Sequence, residues 1–176
     1  LSLLINAGLF YVLGTRDVLP VALGEFLSVQ EGIWQNAEST SYDYTSDLKL
    51  NGINGKVDVY LDERLVPHIF AEKENDAYFV QGYLHAKFRL WQMEFQTHAA
   101  AGRISEIIGA TAIPFDREQR RIGMLWSAEN TVEVFSSDTF SKQIMDAYSE
   151  GVNAYINLLT EKTLPLEYKL LDYKPE

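Results

Sequence analysis

Hydrophobic residues crowd most densely into the stretch Gly82-Tyr83-Leu84-His85-Ala86-Lys87-Phe88-Arg89-Leu90-Trp91-Gln92-Met93-Glu94, and they leave no polar face there. On a helix, Val80, Leu84, Leu90, Trp91, Met93 and Phe95 cover more than half the circumference. A helix apolar nearly all round belongs inside a core. Lys87, Arg89, Gln92 and Glu94 interrupt the pattern, and groups of this kind are rarely buried unless paired. The spacing predicts a core helix from about Ala77 to Ala101, with Asn75 or Asp76 as its N-cap and Gly102 as a left-handed stop. Gly82 inside that helix costs roughly 1 kcal/mol relative to alanine. It therefore predicts a place where another backbone comes close.

Other rhythms surround this helix. Val57, Val59 and Leu61 alternate with Asp58, Tyr60 and Asp62, which predicts a strand with those three residues on its buried face. The dipeptides Asn51-Gly52 and Asn54-Gly55 are hairpin signals, and they predict a pairing of Leu48–Leu50 with this strand. A turn at Asp62–Leu65 leads to a further strand over Val66–Ala71, where Pro67 requires an edge or a bulge because it has no N–H. Arg103–Ile108 reads as a short helix stopped at Gly109 by a left-handed cap like that at Gly102. Asp116-Arg117-Glu118-Gln119-Arg120-Arg121 alternates in sign, as exposed or salt-bridged segments do. Phe140, Ile144, Ala147, Tyr148, Val152, Tyr155, Ile156 and Leu159 recur at helical steps behind a cap at Ser137 or Asp138. Around Pro165, Leu164, Leu166, Tyr168 and Leu170 are placed to fold back onto the helices.

The N-terminal third is less regular. Leu1 to Leu13 carries no charge, and the first one met is Arg16. Thirteen residues fall short of the roughly 20 that a bilayer needs. The run reads as the remnant of a signal anchor or as a short core helix. From Gly14 to Asn36 the chain is a connector punctuated by Pro20, Gly24 and Gly32, with Phe26, Leu27, Ile33 and Trp34 as apolar anchors. Ala37 to Asp47 is polar loop. The organisation predicted is an apolar anchor over 1–15, a connector with a first hairpin over 16–55, and an incomplete α+β domain over 56–176. A start at Leu1 and a loop-like ending at Tyr173-Lys174-Pro175-Glu176 point to a piece of a longer polypeptide.

Composition narrows the chemistry chiefly by exclusion. The 15 basic and 25 acidic residues give a net charge of −10, so there is no basic stripe for a nucleic acid. With no cysteine, this piece has no disulfide, thiolate nucleophile or thiolate-bound metal. Glu72, Glu74 and Asp76 lack the loop spacing of a calcium site and read as a solvated face. His68 reads as an edge histidine, and His85, Arg89 and Glu94 form no metal or nucleophile–base spacing. Ser2, Ser28, Ser105 and Ser149 stand in ordinary contexts. No catalytic, cofactor-binding or metal-binding residue is assigned to this chain.

The order of motifs goes further than composition. Leu61-Asp62-Glu63-Arg64-Leu65-Val66-Pro67-His68-Ile69, Gly82-Tyr83-Leu84-His85-Ala86-Lys87-Phe88-Arg89-Leu90-Trp91-Gln92-Met93 and Gly102-Arg103-Ile104-Ser105-Glu106-Ile107-Ile108-Gly109 stand in sequence. Together they resemble the start of the α chain of the penicillin acylase (penicillin amidase) family. That family reads Arg-Asp-x-x-Gly-Val-Pro-His-Ile, then Gly-Tyr-x-x-Ala-Gln-Asp-Arg-Leu-x-Gln-Met, then Gly-x-x-x-Glu-x-x-Gly. Tyr148–Tyr155 and Leu164–Tyr168 also resemble family segments, and the likeness covers about Lys56 to Glu176. Leu61, Leu65 and Phe88 depart from the family's Arg, Gly and Asp. The first and last departures predict apolar packing in place of an ion pair. The middle one predicts a turn of different geometry.

The resemblance implies an N-terminal nucleophile hydrolase of αββα architecture, made as one precursor that cuts itself into α and β chains. The nucleophile would be the first side chain of the β chain, with its own α-amino group as base, so the partner of this piece is that β chain. The substrate would be a small N-acyl compound: a penicillin-type side-chain amide, an acyl-homoserine lactone or a lipopeptide. The resemblance implies calcium only for the full-length protein, and an exported, periplasmic or membrane-anchored location. The alternative from another class is a non-catalytic exported scaffold or binding protein with an acylase-like fold. A third reading is a self-contained helical interaction module.

Overall fold

The computed structural model describes residues 1–15, 18–19, 23–24, 26–29, 32, 44–45 and 47–175. Ile33, Trp34 and most of the polar loop predicted over Ala37–Asp47 lie outside the described residues. The elements in order are helix α1 (Ser2–Gly14), strands β1 (Val57–Leu61) and β2 (Pro67–Ala71), and helix α2 (Glu74–Ala101). There follow α3 (Ser105–Ile108), a single 3-10 turn (Ala110–Ala112), α4 (Ile113–Ile122), α5 (Met124–Ser137), α6 (Thr139–Ile156) and α7 (Leu166–Leu171). The chain divides into two units: one comprises Leu1–Tyr44, Glu94–Ile122 and Leu159–Glu176, and the other Thr45–Met93 and Gly123–Leu158.

The second unit is built on a hairpin and two helices. Strand β1 pairs antiparallel with β2, Val57 opposite Ala71 and Leu61 opposite Pro67. Pro67 thus opens its strand, where a missing N–H costs nothing. The hairpin predicted between Leu48–Leu50 and β1 does not form, since 48–50 is not a strand. The link between β1 and β2 contains no glycine and is closed instead by Asp62. Its Oδ1 accepts the N–H groups of Arg64 at 2.8 Å and Val66 at 2.9 Å. The face of alternation is covered only in part, because Val57 and Leu61 are half-buried while Val59 is exposed. Periodicity identifies an apolar face but not whether another layer covers it.

Leu65 adopts φ 60. The family's glycine at this place is the residue that takes positive φ without cost. The replacement places a γ-branched side chain in a left-handed turn. Phe88 departs from expectation: at 42 % exposure it does not fill an internal site vacated by a charge.

Helix α2 begins at Glu74, slightly before the predicted start, and its 28 residues include one non-helical residue, Arg89 at φ −147 and ψ 23. No proline or glycine stands at that break. Phe79, Val80, Tyr83, Ala86 and Leu90 are buried, but the helix is not covered all round as expected: Leu84, Trp91 and Met93 are half-buried and Phe95 is exposed. The close approach expected at Gly82 is made by α6: a Cβ at Gly82 would stand 2.0 Å from the carbonyl oxygen of Tyr148. Gly151 meets α2 in the same way, its Cβ position lying 1.9 Å from the carbonyl oxygen of Phe79. Asp138 caps α6 as predicted, its Oδ2 accepting the Ser141 N–H at 2.8 Å. The Ser141 hydroxyl, and then the Ser141 backbone N–H, hold the Asp138 carboxyl below the usual range.

In the same unit, α5 starts after Gly123 in the left-handed region and buries no side chain, with Trp126 71 % exposed. Met124, Leu125, Ala128, Val132 and Phe135 recur at helical steps and mark one face, with Trp126 and Val134 outside it, so this helix is a sequence signal missing from the elements expected above.

In the first unit, α1 is 13 residues long and has no buried side chain. Among the described residues no helix is long and apolar enough to cross a membrane. Gly102 takes φ 66, the predicted left-handed stop, with its Cβ position 2.6 Å from the carbonyl oxygen of Asp116. Gly109 also has positive φ, but its ψ of −165 lies outside the left-handed helical region, so that stop is not the cap predicted. The charged run from Asp116 to Arg121 is helix α4, entered through Pro114 in its first turn, where a missing N–H is tolerated.

Candidate functional site

Polar groups that a fold buries are the first place to look for chemistry, because burial without partners is costly. Four such residues stand out: Asp76, Glu94, His98 and Asp116.

Asp76 is 1 % exposed and does not cap α2. It sits in the first turn of the helix and reaches back to the preceding loop. There its Oδ1 accepts the Asn54 N–H at 3.1 Å, and its Oδ2 accepts the Gly55 N–H at 2.7 Å. Glu72 Oε2 accepts the Lys56 N–H at 3.0 Å beside it. Two members of the acidic cluster read as a solvated face, Glu72 and Asp76, therefore form a backbone clamp whose oxygens already have donors. It does not fit a calcium ion, and among the described residues no three His, Asp or Glu side chains gather to hold a metal.

Asp116 plays the same part in the other unit. Its Oδ1 accepts the Ile104 N–H at 2.9 Å and its Oδ2 accepts the Ser105 N–H at 2.8 Å, which satisfies orphan donors where α3 begins. Arg120 Nε donates to the Gly102 carbonyl at 2.9 Å. Burial pushes the Asp116 carboxyl up. The Ser105 side chain, the Ser105 and Ile104 N–H groups and the Arg120 charge outweigh it and hold the group below the ordinary carboxylate range.

Glu94 and His98 are one helical turn apart on α2 and face the chain after α7 begins. The fully buried Tyr168 donates its phenolic O–H to Glu94 Oε2. His98 Nδ1 lies 3.0 Å from the Glu94 carbonyl oxygen and must donate to it, so in the neutral imidazole Nε2 is left to accept from the Tyr173 O–H at 3.0 Å. The Tyr168 and Tyr173 rings stack at 6.2 Å. Burial, then the hydrogen bond and charge of Glu94, drive the Tyr168 phenol far above its usual value. A phenol held neutral against a buried carboxylate is a fastening and supplies no nucleophile.

The remaining histidines are placed as simple reading suggested. His68 Nε2 stands 3.8 Å from Asp62 Oδ2 on the hairpin edge. His85 Nδ1 is 2.9 Å from the Tyr148 hydroxyl. Beside that pair is an open hollow of about 260 Å³ bordered by Tyr78, Gln81, Ile144, Met145, Tyr148 and Ser149. Ser149 also borders a second hollow near the Lys142–Asp146 ion pair. No histidine is among the residues that border either hollow. Ser105 offers its N–H to Asp116, and the Ser2 hydroxyl accepts from Asn6. The described residues thus assemble clamps and helix contacts. Sequence reasoning missed Asp76 and Asp116 as clamps because their partners lie 21 and 12 residues away.

The sequence pattern of the family described as Penicillin amidase matches residues 56–176. The penicillin acylase 2 proenzyme of Pseudomonas sp. strain SE83 is 38 % identical over 132 residues, covering 75 % of this chain and 16 % of the relative. The acyl-homoserine lactone acylase QuiP of Pseudomonas syringae pv. syringae strain B728a is 33 % identical over 141 residues, 80 % of this chain and 17 % of the relative. A solved structure, a thermostable penicillin G acylase from Alcaligenes faecalis, superposes with a TM-score of 0.61 at 25 % identity, over 70 % of this chain and 65 % of that one. The chain spans about a sixth of the length of the curated relatives it matches. With the family pattern running unbroken from the first strand through the last helix, this chain belongs to the penicillin amidase family.

Proposed function

We propose that this chain is the scaffold portion of an acylase precursor that hydrolyses the amide bond of N-acyl compounds. Water adds across the amide, giving a carboxylic acid and an amine, through an acyl intermediate on a nucleophile carried by a segment outside this chain. The observation that carries the reading is the family match over 56–176, together with relatives that are acylases of penicillin and of acyl-homoserine lactones. The clamps and glycine contacts support a role in holding shape, since they engage the buried polar groups in fastening the backbone. Exposed Met124, Leu125, Trp126, Val132, Val134 and Phe135 on α5 support a covering partner, the β chain of the same precursor. The uncharged run of α1 supports export from the cytoplasm. Any calcium of the complete protein is then held outside this chain.

The test is expression of the complete precursor, mass spectrometry of its chains, and amine release from penicillin G and from acyl-homoserine lactones of graded acyl length. Two chains and turnover of at least one substrate are expected. A precursor that stays intact and turns over none of them overturns the proposal in favour of a non-catalytic scaffold.

A further inference from the structure

The two Asn-Gly dipeptides stand three residues apart in one loop, yet the fold treats them differently. Asn-Gly is the sequence at which an asparagine most readily deamidates. The following backbone nitrogen attacks the side-chain amide carbon, and glycine has no side chain to block it. At Asn54-Gly55 that nitrogen is engaged. The Gly55 N–H donates to the buried Asp76 carboxylate at 2.7 Å, and the Asn54 N–H donates to the same group at 3.1 Å. The Asn54 side-chain amide is itself drawn to the Gly52 carbonyl at 3.4 Å. Attack would require the Gly55 nitrogen to leave a charge-assisted hydrogen bond and lose its proton beside a carboxylate. At Asn51-Gly52 no described residue makes a comparable hydrogen bond to the reacting atoms: both residues are exposed in a turn, and Gly52 is at φ 107.

We propose that Asn51 is a site of spontaneous covalent modification and that Asp76 protects Asn54 from the same reaction. The Gly52 backbone nitrogen bonds to Asn51 Cγ as the Cγ–Nδ2 bond breaks. Ammonia leaves, the Gly52 amide proton passes to solvent base, and a cyclic imide forms. Water then opens the imide at either carbonyl, giving an aspartyl or isoaspartyl residue. The sum is one water consumed and one ammonia released, with no oxidant or reductant. The product adds a negative charge to the loop that Asp76 fastens.

The experiment incubates the complete protein at mildly alkaline pH and follows the tryptic peptide Leu50–Lys56 by mass spectrometry, with fragment ions separating position 51 from position 54. In the folded protein Asn51 converts faster than Asn54 by about tenfold or more, the ratio that losing one hydrogen bond to a charged group before attack would impose. In denaturant the two rates converge. Asp76→Asn, which keeps the shape and removes the charge, raises the Asn54 rate towards that of Asn51. If this variant unfolds, the denatured wild-type protein supplies the same comparison. Equal rates in the folded protein, a faster Asn54, or an Asn51 that converts only in denaturant would each overturn the proposal.

Discussion

Gly82 lies against Tyr148 so closely that a methyl group in place of its hydrogen would be 2.0 Å from the Tyr148 carbonyl oxygen. The relation is reciprocated three residues further along α6, where Gly151 leaves the same room for the carbonyl oxygen of Phe79. On the same two helices the Tyr83 and Tyr155 rings meet edge to face at 5.6 Å, and the His85 imidazole meets the Tyr148 hydroxyl at 2.9 Å. Both glycines belong to the segments that carry the family resemblance. The backbone approach of two helices is therefore what those motif positions encode.

Gly82→Ala and Gly151→Ala should each lower stability by about 3 kcal/mol or more, at the upper end of the cost of overfilling a core, because the obstacle is backbone and cannot rotate away. The double variant should cost less than the sum, since either methyl group already forces the helices apart. Urea midpoints of the complete protein measure both effects. A loss of under about 0.5 kcal/mol for either single change, the range of ordinary surface substitutions, would contradict the contact.

Leu65 offers the opposite case, a residue whose replacement should stabilise. At φ 60 a non-glycine residue pays about 1–2 kcal/mol, and Leu65 is 51 % exposed, so little packing is lost with its side chain. Leu65→Gly relieves the strain but widens the unfolded ensemble, which returns part of the gain. The expected net is an increase of about 0.5–1 kcal/mol. Leu65→Ala, which keeps the Cβ, should bring none of it. Thermal midpoints of the two variants separate backbone strain from loss of an apolar side chain.

What could be read from the residues was whatever depends on neighbours along the chain. Asp138 as a cap, Gly102 as a left-handed stop and the burial of Val80 and Leu90 all follow from positions within a turn or two. The need for a close backbone at Gly82 was legible too, though not that Tyr148 supplies it. The illegible part lies in contacts made across the sequence. Asp76 reads as a cap because it stands in a first turn, and nothing nearby announces Gly55. Asp116 reads as one charge among many in a polar run, although it is 4 % exposed and holds the start of α3. Asn-Gly chemistry at 51–55 suits a hairpin, but the strand that pairs with β1 lies on its other side. The candidate site was legible mainly as motif order, because its clamps depend on partners that periodicity does not reveal.

Asp116 also sets an expectation for acid. A carboxyl held below its unfolded value contributes stability that is complete above the unfolded pKa of about 3.9 and lost as the pH falls through the lower folded value. Asp62, held down first by the Val66 N–H, and Asp138, held down by Ser141, shift in the same direction. The complete protein should therefore lose stability as the pH falls below about 4. Asp116→Asn should flatten part of that slope. At neutral pH it should cost about 2 kcal/mol, because an amide presents only one oxygen to the two N–H groups of Ile104 and Ser105. Urea midpoints from neutral to acid pH test both statements, and an unchanged acid slope in the variant would show that Asp116 is not the group responsible.

The alkaline side belongs to Tyr168. Its phenol is raised by burial and then by Glu94, so the folded chain keeps the proton after the unfolded chain has released it. Stability from this source is complete below the unfolded tyrosine value of about 10 and declines as the pH rises beyond it. Tyr83 and Tyr148 are raised by burial as well, and they add to the same decline. Tyr168→Phe should remove its share of the alkaline slope. It should also cost about 2 kcal/mol at neutral pH, because the buried Glu94 side chain loses a donor. Glu94→Gln should be milder, since the amide oxygen can still accept from the phenol. Ultraviolet titration of tyrosinate alongside urea midpoints distinguishes the cases. A Tyr168→Phe variant as stable as the parent would mean that the Glu94–Tyr168 pair does not fasten α7 to α2.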